Sequence, residues 1–179
     1  MTAVAQKKIS LFALSEGMPG LTPACGASLA ESAALCLEDR QHKSGVNFRL
    51  FGMRSEEFPV EWLPVDEQSR RCNADLQEAT ERGACGIAIL VIRDLTGKVV
   101  VERSKKGPGF DYWLGDEDDE LLFAGKARLE VSGILSGTRS QIQTRINQKK
   151  EQIKPSAALA PGYVAVVEFS APTACVEAS

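Results

Sequence analysis

Residues 109–115 read GFDYWLG and residues 126–135 read KARLEVSGIL, and the interpretation of the fold turns on these two stretches. Both are rich in aromatic and branched apolar residues, the composition that favours strands. Each also carries one acidic side chain in its apolar interior, Asp111 in the first and Glu130 in the second. A carboxylate among apolar neighbours is costly to desolvate unless a cation or a donor compensates it. Two such acids on neighbouring strands therefore suggest a divalent-metal site, whereas either acid alone would read as an ordinary surface residue.

Working outward, residues 98–104 (KVVVERS) form a strand candidate, and 105–109 (KKGPG) form a turn leading into Asp111. After Glu130 the glycines at 133 and 137 mark a break. Residues 139–154 then read as a helix ended by Pro155, and 163–169 as a last strand bounded by Pro161, Gly162 and Pro172. The order is strand, strand, strand, helix, strand. Residues 67–95 can supply one preceding helix. Within it, 84–92 (ACGIAILVI) is ambiguous: its β-branched residues favour a hairpin with 98–102, while small residues and Gly97 as a cap favour the helix, which is the reading taken here.

An acid on the second strand of a β-meander, a second acid on the third strand, then a helix and another strand resembles the core of the PD-(D/E)XK nucleases, the restriction-endonuclease-like fold. The resemblance covers residues 67–179. It implies an α/β (α+β) protein with a central mixed sheet flanked by helices, and residues 1–66 become an N-terminal α+β subdomain or extension. Asp111 matches the aspartate of the motif and Glu130 its glutamate. The lysine expected two positions beyond Glu130 is replaced by Ser132. In some members that lysine has migrated to the following helix, where Ile142, Ile146 and Ile153 form an apolar stripe and Lys149 lies within it, facing the sheet. Lys149 is accordingly the candidate for the motif lysine, the alternative being an ammonium that reaches water along its own stem.

The resemblance further implies that Asp111, Glu130 and the backbone carbonyl of Val131 hold Mg²⁺ or Mn²⁺, with a third acid from the first helix, for which Glu81 and Glu78 are the nearby choices. Hydrolysis of a phosphodiester, most simply in DNA, is the implied activity, within a restriction or phage-defence assembly. The alternative is a nuclease-like fold without catalysis, serving as a scaffold or interaction subunit, which the serine at 132 motivates. A third class is a small-molecule or protein-binding α/β domain unrelated to nucleic acid.

Composition bounds these readings. The chain has 179 residues, 44% of them hydrophobic, enough for one good core. A net charge of -3 argues against a free-standing nonspecific nucleic-acid binder, whose affinity would come from neutralising phosphates; a protein partner or a homodimer would then help to hold DNA. Basic residues nevertheless flank the proposed site: Arg139, Arg145, Lys149, Lys150 and Lys154 on the helix, and Arg103, Lys105 and Lys106 before Asp111. The acidic run 116–120 reads as a solvated loop tip. Five cysteines without CxxC spacing and a single histidine, His42, support neither a zinc site nor a disulfide scaffold. No phosphate-binding glycine motif, apolar span or signal segment is present, which predicts a cytoplasmic protein without a membrane association.

In the N-terminal third, residues 7–14 read as a strand, 24–39 as an amphipathic helix, 45–52 as a strand and 53–66 as an extended connection. Phe48, Phe51, Phe58 and Trp62 are aromatic candidates for base stacking, with core packing the better reading.

Overall fold

The computed structural model describes residues 7–117, 121 and 123–179. Its centre is one mixed sheet of eight strands in the order β1-β3-β2-β8-β7-β6-β5-β4. The strands are β1 (Ile9–Ser10), β2 (Val46–Gly52), β3 (Glu56–Glu61), β4 (Lys98–Arg103), β5 (Tyr112–Asp116), β6 (Ala127–Ile134), β7 (Gly162–Glu168) and β8 (Thr173–Ala178). Helices α1 (Pro23–Asp39) and α3 (Leu76–Thr96) cover one face, with the short α2 (Glu67–Cys72) before α3, and α4 (Arg139–Ile153) covers the other. This is an α+β fold with a central mixed sheet flanked by helices, as the sequence predicts.

β4, β5 and β6 form an antiparallel meander, and α4 carries the chain across to β7, which lies parallel to β6. The strand, strand, strand, helix, strand order expected around the two acids is therefore present. Alternation along β6 divides its side chains between the two cores. Ala127, Leu129 and Val131 belong to the large core with α1 and α3, while Glu130 and Ser132 are met by side chains of α4. A smaller core beneath α4 gathers Phe110, Ile142, Ile146, Ile153, Val164 and Val166.

Residues 84–92 are helical and almost wholly buried between α1 and the sheet. That two-sided burial overrides the β propensity of Ile and Val. The glycines are what let the layers close. A Cβ on Gly83 would lie 2.8 Å from the Cα of Ala33 in α1, and one on Gly133 of β6 would lie 2.5 Å from the Thr80 carbonyl oxygen in α3.

Four sequence expectations need correction. The single helix expected over 67–95 is two, because Asp75 caps a new helix by accepting from the amides of Gln77 and Glu78. The strand expected over 7–14 is reduced to Ile9–Ser10, followed by a 3-10 turn, Leu11–Glu16. The extended connection 53–66 contains β3, in which Pro59 is tolerated because the two-residue β1 pairs only with Val60 and Glu61 on its outer side. The strand at 163–169 is not the last, since β8 follows and pairs antiparallel to β7 and parallel to β2. Through β8 the sheet continues across residue 66, joining the strands on either side of that position.

Phe48 and Phe58 are buried and stacked, with ring centroids 6.0 Å apart. Trp62 is buried, so the core reading holds for these three, while Phe51 is half-buried against the smaller core under the guanidinium of Arg139. His42 places Nε2 3.1 Å from the carbonyl oxygens of Phe169 and Ser170, and all five cysteines are free thiols. At the far edge of the sheet, the Gly20 amide donates to the Val100 carbonyl of β4 at 2.9 Å. A Cβ on Gly20 would sit 2.3 Å from the Val101 carbonyl carbon. Among the described residues no helix is long and apolar enough to cross a membrane. Asp118, Asp119 and Glu120 of the acidic run lie outside the described residues; Asp116 pairs with Lys98, and Glu117 with Arg93.

Candidate functional site

The site begins where β5 and β6 part. The Arg128 amide donates to Pro161 on the β7 side of β6. Alternation then turns the N–H and C=O of Leu129 and Val131 toward β5. Leu129 uses its carbonyl to accept from the Asp111 amide at 2.9 Å. Two residues on, Val131 has no backbone partner in β5, whose pairing ends at Tyr112. Its amide donates instead to the carboxylate Oδ2 of Asp111 at 2.9 Å. Val131 and Asp111 border the same cleft. The structure thus brings Asp111 and the backbone of Val131 together.

Glu130 projects from the opposite face of β6 to Val131 and is only 2% exposed. Its Oε1 accepts from Lys149 Nζ at 2.5 Å and from Gln152 Nε2 at 2.9 Å. Burial raises its carboxyl pKa to about 7, with a further increase from the neighbouring Asp111 charge, while the Lys149 hydrogen bond opposes the shift. The Asp111 and Glu130 carboxyls line one cleft and are near enough for the charge of the first to act on the second. Two acids held this close repel when both are ionised, and a cation between them removes that cost.

α4 supplies the basic side of the site at regular helical spacing. Arg145, Lys149 and Gln152 lie on one face, and the strand period of two matches one helical turn. Arg145 Nη1 donates to Ser132 Oγ at 2.9 Å while Lys149 reaches Glu130. Ser132, near the end of β6, thus accepts from an arginine, and Lys149 brings its ammonium to Glu130. Gln152, which sequence reasoning missed, also donates to the Gly109 carbonyl at 3.2 Å and so ties the turn before Asp111 to α4. Its one sequence signal is the spacing of three from Lys149.

Arg128 is the other omission. Its guanidinium, 1% exposed, donates to the carbonyl of Ala160 at 2.7 Å, to that of Ile153 at 2.8 Å and to Ser156 Oγ at 2.6 Å. It therefore anchors the C-terminal end of α4 to the strand that carries Glu130.

Glu81 and Glu78 are exposed on α3 and border the same cleft as Asp111. Among the described residues, however, no three His, Cys, Asp or Glu side chains stand together as a metal-holding group. Glu81, expected as a third ligand, does not complete such a set. The donors present are two carboxylates and one carbonyl, all hard oxygens. They fit Mg²⁺ or Mn²⁺, since Mg²⁺ is commonly bound through one or two carboxylates and keeps several waters.

The cleft wall also carries Cys85, whose thiol burial pushes up to about 12 with help from the Asp111 charge, and Tyr112, whose hydroxyl pKa is raised by burial and by Cys85. Both stay protonated and serve as neutral wall. Arg103 lies over the Tyr112 ring, 5.5 Å from its centroid, at the cleft rim. Comparison of the chain with protein-family models, with curated proteins and with solved structures finds no match in any of the three.

Proposed function

We propose that the protein is a divalent-metal-dependent nuclease that hydrolyses phosphodiester bonds in DNA, on a restriction-endonuclease-like core. The observation that carries the reading is the convergence of Asp111, Glu130 and Lys149 on one cleft at the parting of β5 and β6. Bound there, Mg²⁺ or Mn²⁺ would lower the pKa of a water and neutralise phosphate charge. Asp111 and Glu130 supply its ligands, together with the Val131 carbonyl. Lys149 holds a positive charge beside the acids, where it orients a water and offsets charge developing on the phosphate oxygens. Gln152 fixes the Glu130 carboxylate and the turn before Asp111 in one geometry. Arg103, Lys105 and Lys106 line the approach and attract the polyanion.

The test is hydrolysis of a mixture of plasmid and linear DNA by the purified protein with Mg²⁺ or Mn²⁺. Wild type is expected to degrade DNA only with metal, and Asp111→Ala and Glu130→Ala are expected to be inactive. Cleavage that survives in both variants would come from a contaminant. A wild type inert toward every substrate would leave the fold as a scaffold or interaction subunit.

A further inference from the structure

The cleft is divided into two compartments that share Arg103, Asp111 and Lys149. The inner one, about 420 Å³, is closed behind by Leu29 of α1 and by α3, which contributes Glu78, Glu81 and Arg82, while Arg145 enters from α4. The outer one, also about 420 Å³, runs past Lys105, Lys106 and Gln152.

Their charges differ. Beyond the shared residues, the inner compartment sets two carboxylates against two guanidiniums, and both guanidiniums are engaged, Arg82 with Ser28 and Arg145 with Ser132. The outer compartment adds two lysines, and among the described residues its only added acid is Glu130, which Lys149 and Gln152 already hold. The inner charges balance and the outer lysines do not, so a phosphate chain is drawn over Lys105 and Lys106. The inner volume also lies toward the small end of the range for small-molecule pockets, about 300–1,000 Å³, the scale of one nucleotide and not of a duplex.

We infer that the protein acts at strand ends: the inner compartment receives the terminal nucleotide of single-stranded DNA, and the rest of the strand leaves over Lys105 and Lys106. This rests on the nuclease reading and adds its direction. A water oxygen forms a bond to the phosphorus of the terminal diester and the phosphorus–oxygen bond to one sugar breaks. One water proton passes to the departing sugar oxygen, leaving a phosphomonoester and a hydroxyl without any redox change.

The experiment compares a short single-stranded DNA, labelled at one end or the other, with the same sequence ligated into a circle. Wild-type protein is used with Mg²⁺ or Mn²⁺, and Asp111→Ala serves as the control. The linear strand is expected to release mononucleotides from one end, and the circle to be cut at less than about one hundredth of that rate, the scale of loss for a misplaced substrate. Cutting of the circle at a comparable rate, or oligonucleotide products from the linear strand, overturns the inference and leaves the nuclease reading standing. No metal-dependent hydrolysis of either single strand also overturns the inference, and inertness toward the plasmid and linear duplex as well overturns the nuclease reading.

Discussion

At the scale of single residues, Glu130 combines burial with a close negative neighbour, and the pH dependence of the fold follows. Its carboxyl titrates at about 7 in the folded chain against 4.5 as the ordinary value, so the folded state binds the proton more tightly. Without divalent metal, stability should therefore fall as pH rises from about 4.5 to about 7, by something on the order of 3 kcal/mol, and then level off. Glu130→Gln should remove that slope, which urea unfolding in chelator at a series of pH values would measure; an unchanged slope in the variant would assign it elsewhere. Metal competes with the same proton, so Mg²⁺ or Mn²⁺ should raise the melting temperature of wild type above pH 7, raise it much less below pH 6, and leave Glu130→Gln nearly unmoved. Lys149→Ala should lower kcat by about 10²–10³-fold, the usual loss when one charge-stabilising donor is removed, with the fold retained. Activity at the wild-type rate in that variant would remove Lys149 from the mechanism.

Asp111, Glu130 and Lys149 were legible because a pattern and an apolar stripe marked them. Gln152 and Arg128 were not, because the reach of a long polar side chain depends on how helix and strand lie against each other, which no local pattern encodes.

At the scale of elements, the meander and α4 read correctly because each has a clean period and a sharp boundary. In α4 the boundary is a capping box, with Thr138 accepting from the Gln141 amide and Gln141 reciprocating. β3 and β8 were missed because Pro59 lies inside the first and Pro172 directly before the second, and proline weakens a strand signal. The register between layers makes its own predictions. Gly133→Ala would push a methyl against the Thr80 carbonyl and should destabilise the protein by about 1–3 kcal/mol through overpacking, read as a lower urea midpoint. Arg128→Met would leave the Ala160 carbonyl without its buried donor, costing about 1–3 kcal/mol, and the Ile153 carbonyl with the Ser156 hydroxyl alone. Proteolysis should then appear first near the end of α4. If the variant is as stable as wild type, Arg128 is not the anchor described above.

At the scale of the whole molecule, the parallel pairing of β2 with β8 and the packing of α1 on α3 bind the two ends of the sequence into one sheet. The two tryptophans fall on opposite sides of that join, Trp62 after β3 and Trp113 in β5. Trp62→Phe and Trp113→Phe should each show a fluorescence transition coincident with its own circular dichroism transition, as a single cooperative unit requires. Separate midpoints would divide the chain near residue 66. The sequence suggested that division because the family resemblance covers residues 67–179 alone, whereas the pairing of β2 with β8 joins strands more than a hundred residues apart.

The contact of Gly20 with the rim of β4 has a consequence for behaviour at high concentration. A sheet margin with open amides and carbonyls recruits strands from other molecules, and here a glycine-bearing loop occupies that margin at Val100. Replacing Gly20 with a bulkier residue would lift the loop away, so loss of solubility and growth of thioflavin-positive assemblies should precede any loss of secondary structure.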